Sequence, residues 1–138
     1  MIHKRLHHVG IIVPSREKAD ALMEMYGLEV DYEGPTPYNT YYIFTKMNPN
    51  ESESAIEFLI PEPGSKLSQF NNGKGGIAHL CFEVDDIDAV CAEFKEKGCE
   101  LLHDECEVSD GTMKINFVKP KSSHGILVEF MQIIEPEA

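Results

Sequence analysis

The chain repeats one pattern at a fixed spacing, and this repeat limits the folds that it can adopt. Three pairs of residues share an offset of 71 positions: His8 and His79, Val13 and Val84, Gly27 and Gly98. In each copy, alternating side chains typical of a strand are followed by the spacing of an amphipathic helix, and a glycine ends that helix. The sequence therefore predicts two copies of one supersecondary unit.

The rest of each copy reads as three further strands, which gives the order βαβββ twice. Predicted strands lie at residues 6–13, 28–33, 38–46 and around Glu57, and then around His79 and at 99–103, 113–118 and 126–133, with turns at 48–52 and 110–111. We expect one domain over residues 1–138, with modules at about 5–63 and 75–134 and a linker at 64–74. The fold class is α+β, with two mixed sheets joined into a cup-shaped half-barrel.

A second repeated spacing joins each histidine to a glutamate. Glu57 follows His8 by 49 residues, and Glu129 follows His79 by 50. Each glutamate lies within an apolar run, where a lone carboxylate is costly unless a positive group meets it. Because each helix covers one face of its strands, the four side chains are expected on the opposite face. His8, Glu57, His79 and Glu129 are thus candidate ligands of one divalent metal ion.

Charge and cysteine usage exclude several classes of protein. The net charge of −12 opposes binding to a nucleic acid backbone or to an anionic membrane surface. The four cysteines contain no C-x-x-C pair, so no disulfide framework is indicated. The apolar run near the N-terminus is too short for a signal-peptide core and ends at Pro14. We expect a protein of the reduced cytoplasm that has neither a membrane nor a nucleic acid as partner.

The residues described so far resemble the vicinal oxygen chelate superfamily, which includes glyoxalase I, extradiol dioxygenases and antibiotic-resistance proteins. Residues 8–13, 79–90 and 114–132 (KINFVKPKSSHGILVEFMQ) are most similar to the methylmalonyl-CoA epimerase family. The resemblance implies a divalent metal bound by the His, Glu, His, Glu set. It also implies a small-molecule substrate such as a CoA thioester, and pairing of two chains into a homodimer.

Such a metal ion would act as a Lewis acid on a substrate that chelates through two neighbouring oxygens. The reaction then needs a base to remove a proton. The epimerase family implies a glutamate that is not a metal ligand on the strand at residues 38–46, but that strand has no carboxylate here. The candidate bases are therefore Glu129 or Glu57, as the glyoxalase resemblance implies, and Tyr42 or Glu83.

Three functions remain open at this point. The first is a metal-dependent isomerase that stabilises an enolate and epimerises methylmalonyl-CoA or a related acyl-CoA. The second is a glyoxalase I-like enzyme, a lactoylglutathione lyase type acting on another small α-oxygenated substrate. The third is a non-catalytic ligand-binding or resistance protein. The metal is equally open, because Zn, Co, Ni, Mn and Fe all accept these ligands.

Overall fold

The computed structural model describes residues 4–47, 54–109 and 111–134. The described residues group into two compact units. The first unit consists of the described residues between His8 and Ala78, and the second consists of those up to His7 together with those from His79 onward. The predicted turn at 48–52, and Asp110 of the predicted turn at 110–111, lie outside the described residues. Within the described part, no helix has both the length and the apolar character needed to span a membrane.

The first unit contains one helix and a four-stranded mixed sheet. Strand β1 (Arg5–Ile12) belongs to this unit from His8 onward. The other elements are α1 (Arg16–Tyr26), β2 (Val30–Pro35), β3 (Thr40–Thr45), β4 (Ala55–Pro61) and a 3-10 segment at Lys66–Gly73. The strand order is β2-β3-β4-β1, with β1 and β4 parallel and the other neighbours antiparallel. The Ser15 side chain accepts from the Lys18 N–H, and Gly27 ends α1 with a φ of 67°, as the sequence predicts.

The second unit repeats this arrangement. Strand β5 (Gly76–Glu83) belongs to this unit from His79 onward. The other elements are α2 (Ile87–Glu96), β6 (Glu107–Ser109), β7 (Met113–Val118), a 3-10 turn at Pro120–Ser122, and β8 (Leu127–Ile133). The strand order is β5-β8-β7-β6. Strands β5 and β8 are parallel, and the pairs β8–β7 and β7–β6 are antiparallel. Each strand therefore has its counterpart in the first unit, so the predicted repeat is confirmed at the level of topology.

In both units the helix packs on one face of the sheet, and the glutamate strand directs its carboxylate to the other face. In the first unit Ala19 and Met23 of α1 pack with Ile43 and Phe58 of the sheet. In the second unit the corresponding core contains six buried residues: Val84, Ile87, Val90, Cys91, Val118 and Phe130. Since strand side chains alternate between faces, Glu57 and Glu129 point away from these cores. The fold thus places both glutamates on the face opposite the helix, and in the second unit that face also carries an apolar cluster of Cys81, Ile115 and Met131.

One predicted strand is wrong. Residues 99–103 form no strand, and Leu101 makes only an isolated bridge to Val118. The strand next to β7 is instead β6, which pairs Glu107 with Ile115 and Ser109 with Met113. The reason is a side chain: the Asn116 amide binds both the N–H and the carbonyl of His103, so this backbone is satisfied without a strand partner. The segment before β6 consequently folds as an irregular loop.

Gly75 supports the end of β1 by close contact. Its φ is +76°, and a Cβ built on it would lie 2.1 Å from the carbonyl oxygen of Ile12. We expect Gly75→Ala to lower the free energy of unfolding by about 3 kcal/mol or more, because backbone must move. Gly27→Ala is the matched control: its φ is +67°, but no atom lies within 4 Å.

For Gly27→Ala only the cost of the left-handed conformation remains, about 1 kcal/mol. Urea unfolding of the two variants measures the difference. Equal losses would contradict the proposed clash at Gly75.

Candidate functional site

The first unit places one histidine and one glutamate in contact. His8 lies on β1 and Glu57 on β4, and Glu57 pairs across the strands with Gly10, two residues beyond His8. This register puts both side chains on the same face of the sheet. The His8 Nε2 lies 3.6 Å from the Glu57 Oε1, and the two side chains are only 5% and 15% exposed.

The second unit contains the equivalent pair. His79 lies on β5 and Glu129 on β8, and Glu129 pairs with Cys81, again two residues beyond the histidine. The His79 Nε2 lies 3.3 Å from the Glu129 Oε1, with side-chain exposures of 6% and 10%. The same geometry thus arises twice from the same topology. The repeat of His and Glu in the sequence reflects a repeat in space within each unit.

Each pair is backed by a phenylalanine that the sequence reasoning missed. Phe44 of β3 pairs with Glu57, and its ring lies 4.9 Å from the His8 ring at 75°. Phe117 of β7 pairs with Glu129, and its ring lies 6.4 Å from the His79 ring at 72°. Such edge-to-face packing is favourable and restrains the imidazole. Both phenylalanines lie on strands antiparallel to a glutamate strand, at equivalent places in the two copies, but this relation depends on strand register and leaves no local signal in the sequence.

The donor atoms of each pair fit a shared metal ion. Two ligands about 2.1 Å from one ion, at an angle between octahedral and tetrahedral values, lie roughly 3.0–3.5 Å apart. The observed distances of 3.6 Å and 3.3 Å are close to this range. Imidazole nitrogen with carboxylate oxygen is also a donor set that several divalent metals accept. Each unit can therefore supply two ligands without rearranging its sheet.

Tyr42 lies on the polar side of the first unit. It is two residues from Phe44 on β3, so it shares the face that carries His8 and Glu57. The Tyr42 ring lies over Gly34, where a Cβ would be at an ordinary contact distance of 3.5 Å from it. Tyr32 packs against it at 5.8 Å. A phenol thus lies on the same face as the first pair.

Two other polar groups are committed to ion pairs or hydrogen bonds. The Tyr41 hydroxyl donates to Glu33 at 2.8 Å, on the side where Arg16 of α1 also binds Glu33, and this bond raises the pKa of Tyr41. Glu83 shares the face of His79 but contacts the Lys4 ammonium at 3.4 Å and the Arg5 guanidinium at 3.2 Å. Glu83 therefore has a structural partner within the second unit.

Comparison with known proteins identifies the superfamily of the chain. Residues 7–117 match the model of the glyoxalase/bleomycin resistance protein/dioxygenase superfamily. The chain belongs to this superfamily. Curated relatives of this superfamily member include the ethylmalonyl-CoA/methylmalonyl-CoA epimerase of Cereibacter sphaeroides, which is 35% identical over 94% of this chain and 98% of its own. The mitochondrial methylmalonyl-CoA epimerase of Homo sapiens is 32% identical over 93% of this chain and 73% of its own.

Solved structures of methylmalonyl-CoA epimerases have a similar fold. A selenomethionine crystal structure of methylmalonyl-CoA epimerase has a TM-score of 0.84 and 29% identity, covering 98% of this chain and 99% of its own. A methylmalonyl-CoA epimerase in complex with methylmalonyl-CoA and NH4+ has a TM-score of 0.83 and 26% identity, covering 100% and 99%. This likeness confirms the predicted α+β fold class. The predicted resemblance to methylmalonyl-CoA epimerases is confirmed as well.

Proposed function

We propose that the chain is an epimerase of acyl-CoA thioesters, with methylmalonyl-CoA or a close analogue as substrate. The observation that carries the proposal is the buried His–Glu pair that recurs in both units, in a chain whose relatives are methylmalonyl-CoA epimerases. A cytoplasmic location and the pairing of two chains remain predictions from the sequence.

The proposal assigns His8, Glu57, His79 and Glu129 as the ligands of one divalent metal ion. Within each unit the donor atoms already lie at distances suited to a common ion. When bound, such an ion supplies Lewis-acid stabilisation of the negative charge on the substrate's carbonyl oxygens. Zn, Co, Ni, Mn and Fe are all compatible with two imidazoles and two carboxylates.

The chain's own residues must move a proton. Epimerisation removes the proton on the carbon between two carbonyl groups and returns a proton to the opposite side of that carbon. The repeat supplies two equivalent carboxylates, Glu57 and Glu129, and the first unit adds the phenol of Tyr42. We assign the main base to Glu129, the more buried carboxylate and the one closer to its histidine. Phe44 and Phe117 hold the imidazoles in place.

The second candidate, a glyoxalase I-like isomerase, is favoured by one observation. On β3 the positions that face the first pair are Tyr42 and Phe44, and the strand Thr40–Thr45 contains no carboxylate. This absence favours a base drawn from the ligand set, as the glyoxalase resemblance implies, with the Tyr42 phenol as the alternative. The two candidates differ in substrate: a malonyl-type thioester for the epimerase, a hemithioacetal for the isomerase.

The experiment is exchange of the α-hydrogen of methylmalonyl-CoA in deuterated solvent, followed by NMR with protein reconstituted with each divalent metal. We expect exchange that a chelator abolishes and that the same metal restores. The hemithioacetal of methylglyoxal and glutathione is the comparison substrate.

The outcomes distinguish the three candidate functions. Turnover of the hemithioacetal without exchange would replace the epimerase by the glyoxalase-like alternative. Binding of thioester without turnover of either substrate, at full metal content, would leave only the ligand-binding role. Exchange that is unaffected by the chelator would overturn the metal assignment.

A further inference from the structure

Two cysteines of the second unit lie close together on its helical side. Cys91 is on α2, and Cys106 lies in the loop just before β6. Their Sγ atoms are 3.6 Å apart, and both thiols are free. Cys91 is buried and Cys106 is partly exposed. This distance is van der Waals contact between sulfurs, so the two atoms must approach by roughly 1.5 Å to form a bond of about 2.05 Å.

Asn116 holds the two cysteines in this arrangement. Its side chain is 1% exposed, and its Nδ2 lies 3.8 Å from the Cys91 Sγ and 4.0 Å from the Cys106 Sγ. The same amide accepts from the His103 N–H at 3.1 Å and donates to the His103 carbonyl at 3.0 Å. One buried side chain on β7 thus fixes both the loop and the sulfur pair. The contact is built into the fold rather than left to two mobile side chains.

We propose that Cys91 and Cys106 form a reversible disulfide by exchange with a small-molecule disulfide of the glutathione type. The site is separate from the proposed function: Asn116 points to the helical side of β7, whereas its neighbour Phe117 packs against His79. The proposal therefore stands or falls independently of the epimerase assignment.

The exchange balances in two steps. The thiolate of one cysteine attacks the small disulfide, forms a mixed disulfide and releases one small thiolate. The second cysteine, as its thiolate, attacks the protein sulfur of that mixed disulfide and releases the other small thiolate. Overall the two protein thiols lose two electrons and two protons, and one small disulfide becomes two small thiols. The partly exposed Cys106 is the accessible point of first attack.

The pH dependence of this exchange follows from the environment. Burial, the neighbouring Cys91 thiol and the Asp88 carboxylate raise the pKa of Cys106 to about 12. The nearby cation, Lys114, is paired with Asp88 at 2.7 Å. At neutral pH the attacking thiolate is therefore scarce, and the cross-link should form slowly. Its rate should rise with pH over the range below that pKa.

The disulfide would fasten α2 to the loop before β6, which the Asn116 hydrogen bonds and the bond from Lys95 of α2 to the Asp104 carbonyl already hold. A cross-link between residues 15 positions apart restricts the unfolded chain. We expect the melting temperature of the oxidised protein to rise by roughly 5 °C or more over that of the reduced protein. The face that carries His79 and Glu129 is not touched by this change.

The test treats the full chain with oxidised glutathione at several pH values, quenches with an alkylating agent, and maps peptides without reduction. We expect one peptide pair joined through Cys91 and Cys106, a mass lower by two hydrogens, and reversal by dithiothreitol. Cys99→Ser is the matched control, because Cys99 lies on the same side but its Sγ contacts the Ser122 carbonyl. The cross-link should persist in that variant.

Two single variants keep the proposal falsifiable. Cys91→Ser and Cys106→Ser should each abolish the cross-link, and Cys91→Ser should accumulate a mixed disulfide at Cys106. If one variant fails to fold, the other gives the same answer. Mixed disulfides on the unaltered chain without an internal cross-link, or a cross-link through Cys99, would overturn the proposal.

Discussion

Replacing Glu129 by Gln should lower the rate of α-hydrogen exchange on methylmalonyl-CoA by about 100- to 10,000-fold, the usual contribution of a positioned base. The substitution keeps the size of a side chain that is 10% exposed and removes its charge. It therefore removes both a basic oxygen and the carboxylate that lies 3.3 Å from the His79 Nε2. Metal content after reconstitution, measured beside the exchange rate, separates the two losses.

Glu96→Gln is the matched control for Glu129→Gln. Glu96 ends α2, on the side of the second unit that faces away from His79, and it is exposed. The Glu96→Gln variant should exchange the α-hydrogen at the rate of the unaltered chain. An unchanged rate in Glu129→Gln, with normal metal content, would remove Glu129 from the reaction and leave Glu57 and Tyr42 as the remaining candidates.

Replacing Phe130 by Ala should lower the free energy of unfolding by about 3–5 kcal/mol, the usual cost of removing a buried ring. The Phe130 side chain is 2% exposed and lies in the core between α2 and the sheet of the second unit. Its ring packs edge-to-face with that of Phe94 on α2, with centroids 4.9 Å apart. The cavity would therefore open under α2, within the core that this helix covers.

Ile133→Ala on the same strand is the control, because Ile133 is 53% exposed. Its effect should stay within about 0.5 kcal/mol, as for most surface substitutions. Urea unfolding followed by circular dichroism compares the two variants directly. A loss for Phe130→Ala no larger than that for Ile133→Ala would contradict the position of this core.

The elements with strong periodicity were predictable, and so was the pairing of each histidine with its glutamate. His8 and Glu57 stand out because polar residues interrupt apolar strands at a repeated spacing, and their place on the face opposite the helix follows from alternation. The caps at Ser15 and Gly27 carry a local chemical signal. These features depend on interactions within a few residues, or on a repeat that can be counted.

The loop at 99–106 and the role of Phe117 were not predictable in the same way. The stretch around Leu101 has the composition of a strand, but the hydrogen bonds of Asn116 to His103 decide its backbone. The contact of Phe117 with His79 depends on the register of β7 against β8, which a single sequence does not encode locally. In both cases a long-range side-chain contact overrides the local pattern.

The assignment of the first few residues to the second unit has a consequence for any division of this chain. Lys4 and Arg5 bind Glu83, whose side chain is only 11% exposed. A fragment that began at His79 would hold that acid in a largely dry setting with neither cation beside it. Splitting the gene between its two repeats would therefore yield a C-terminal half that is weakened electrostatically. A C-terminal fragment that also carried Lys4 and Arg5, as in a circular permutation, would keep both cations beside Glu83.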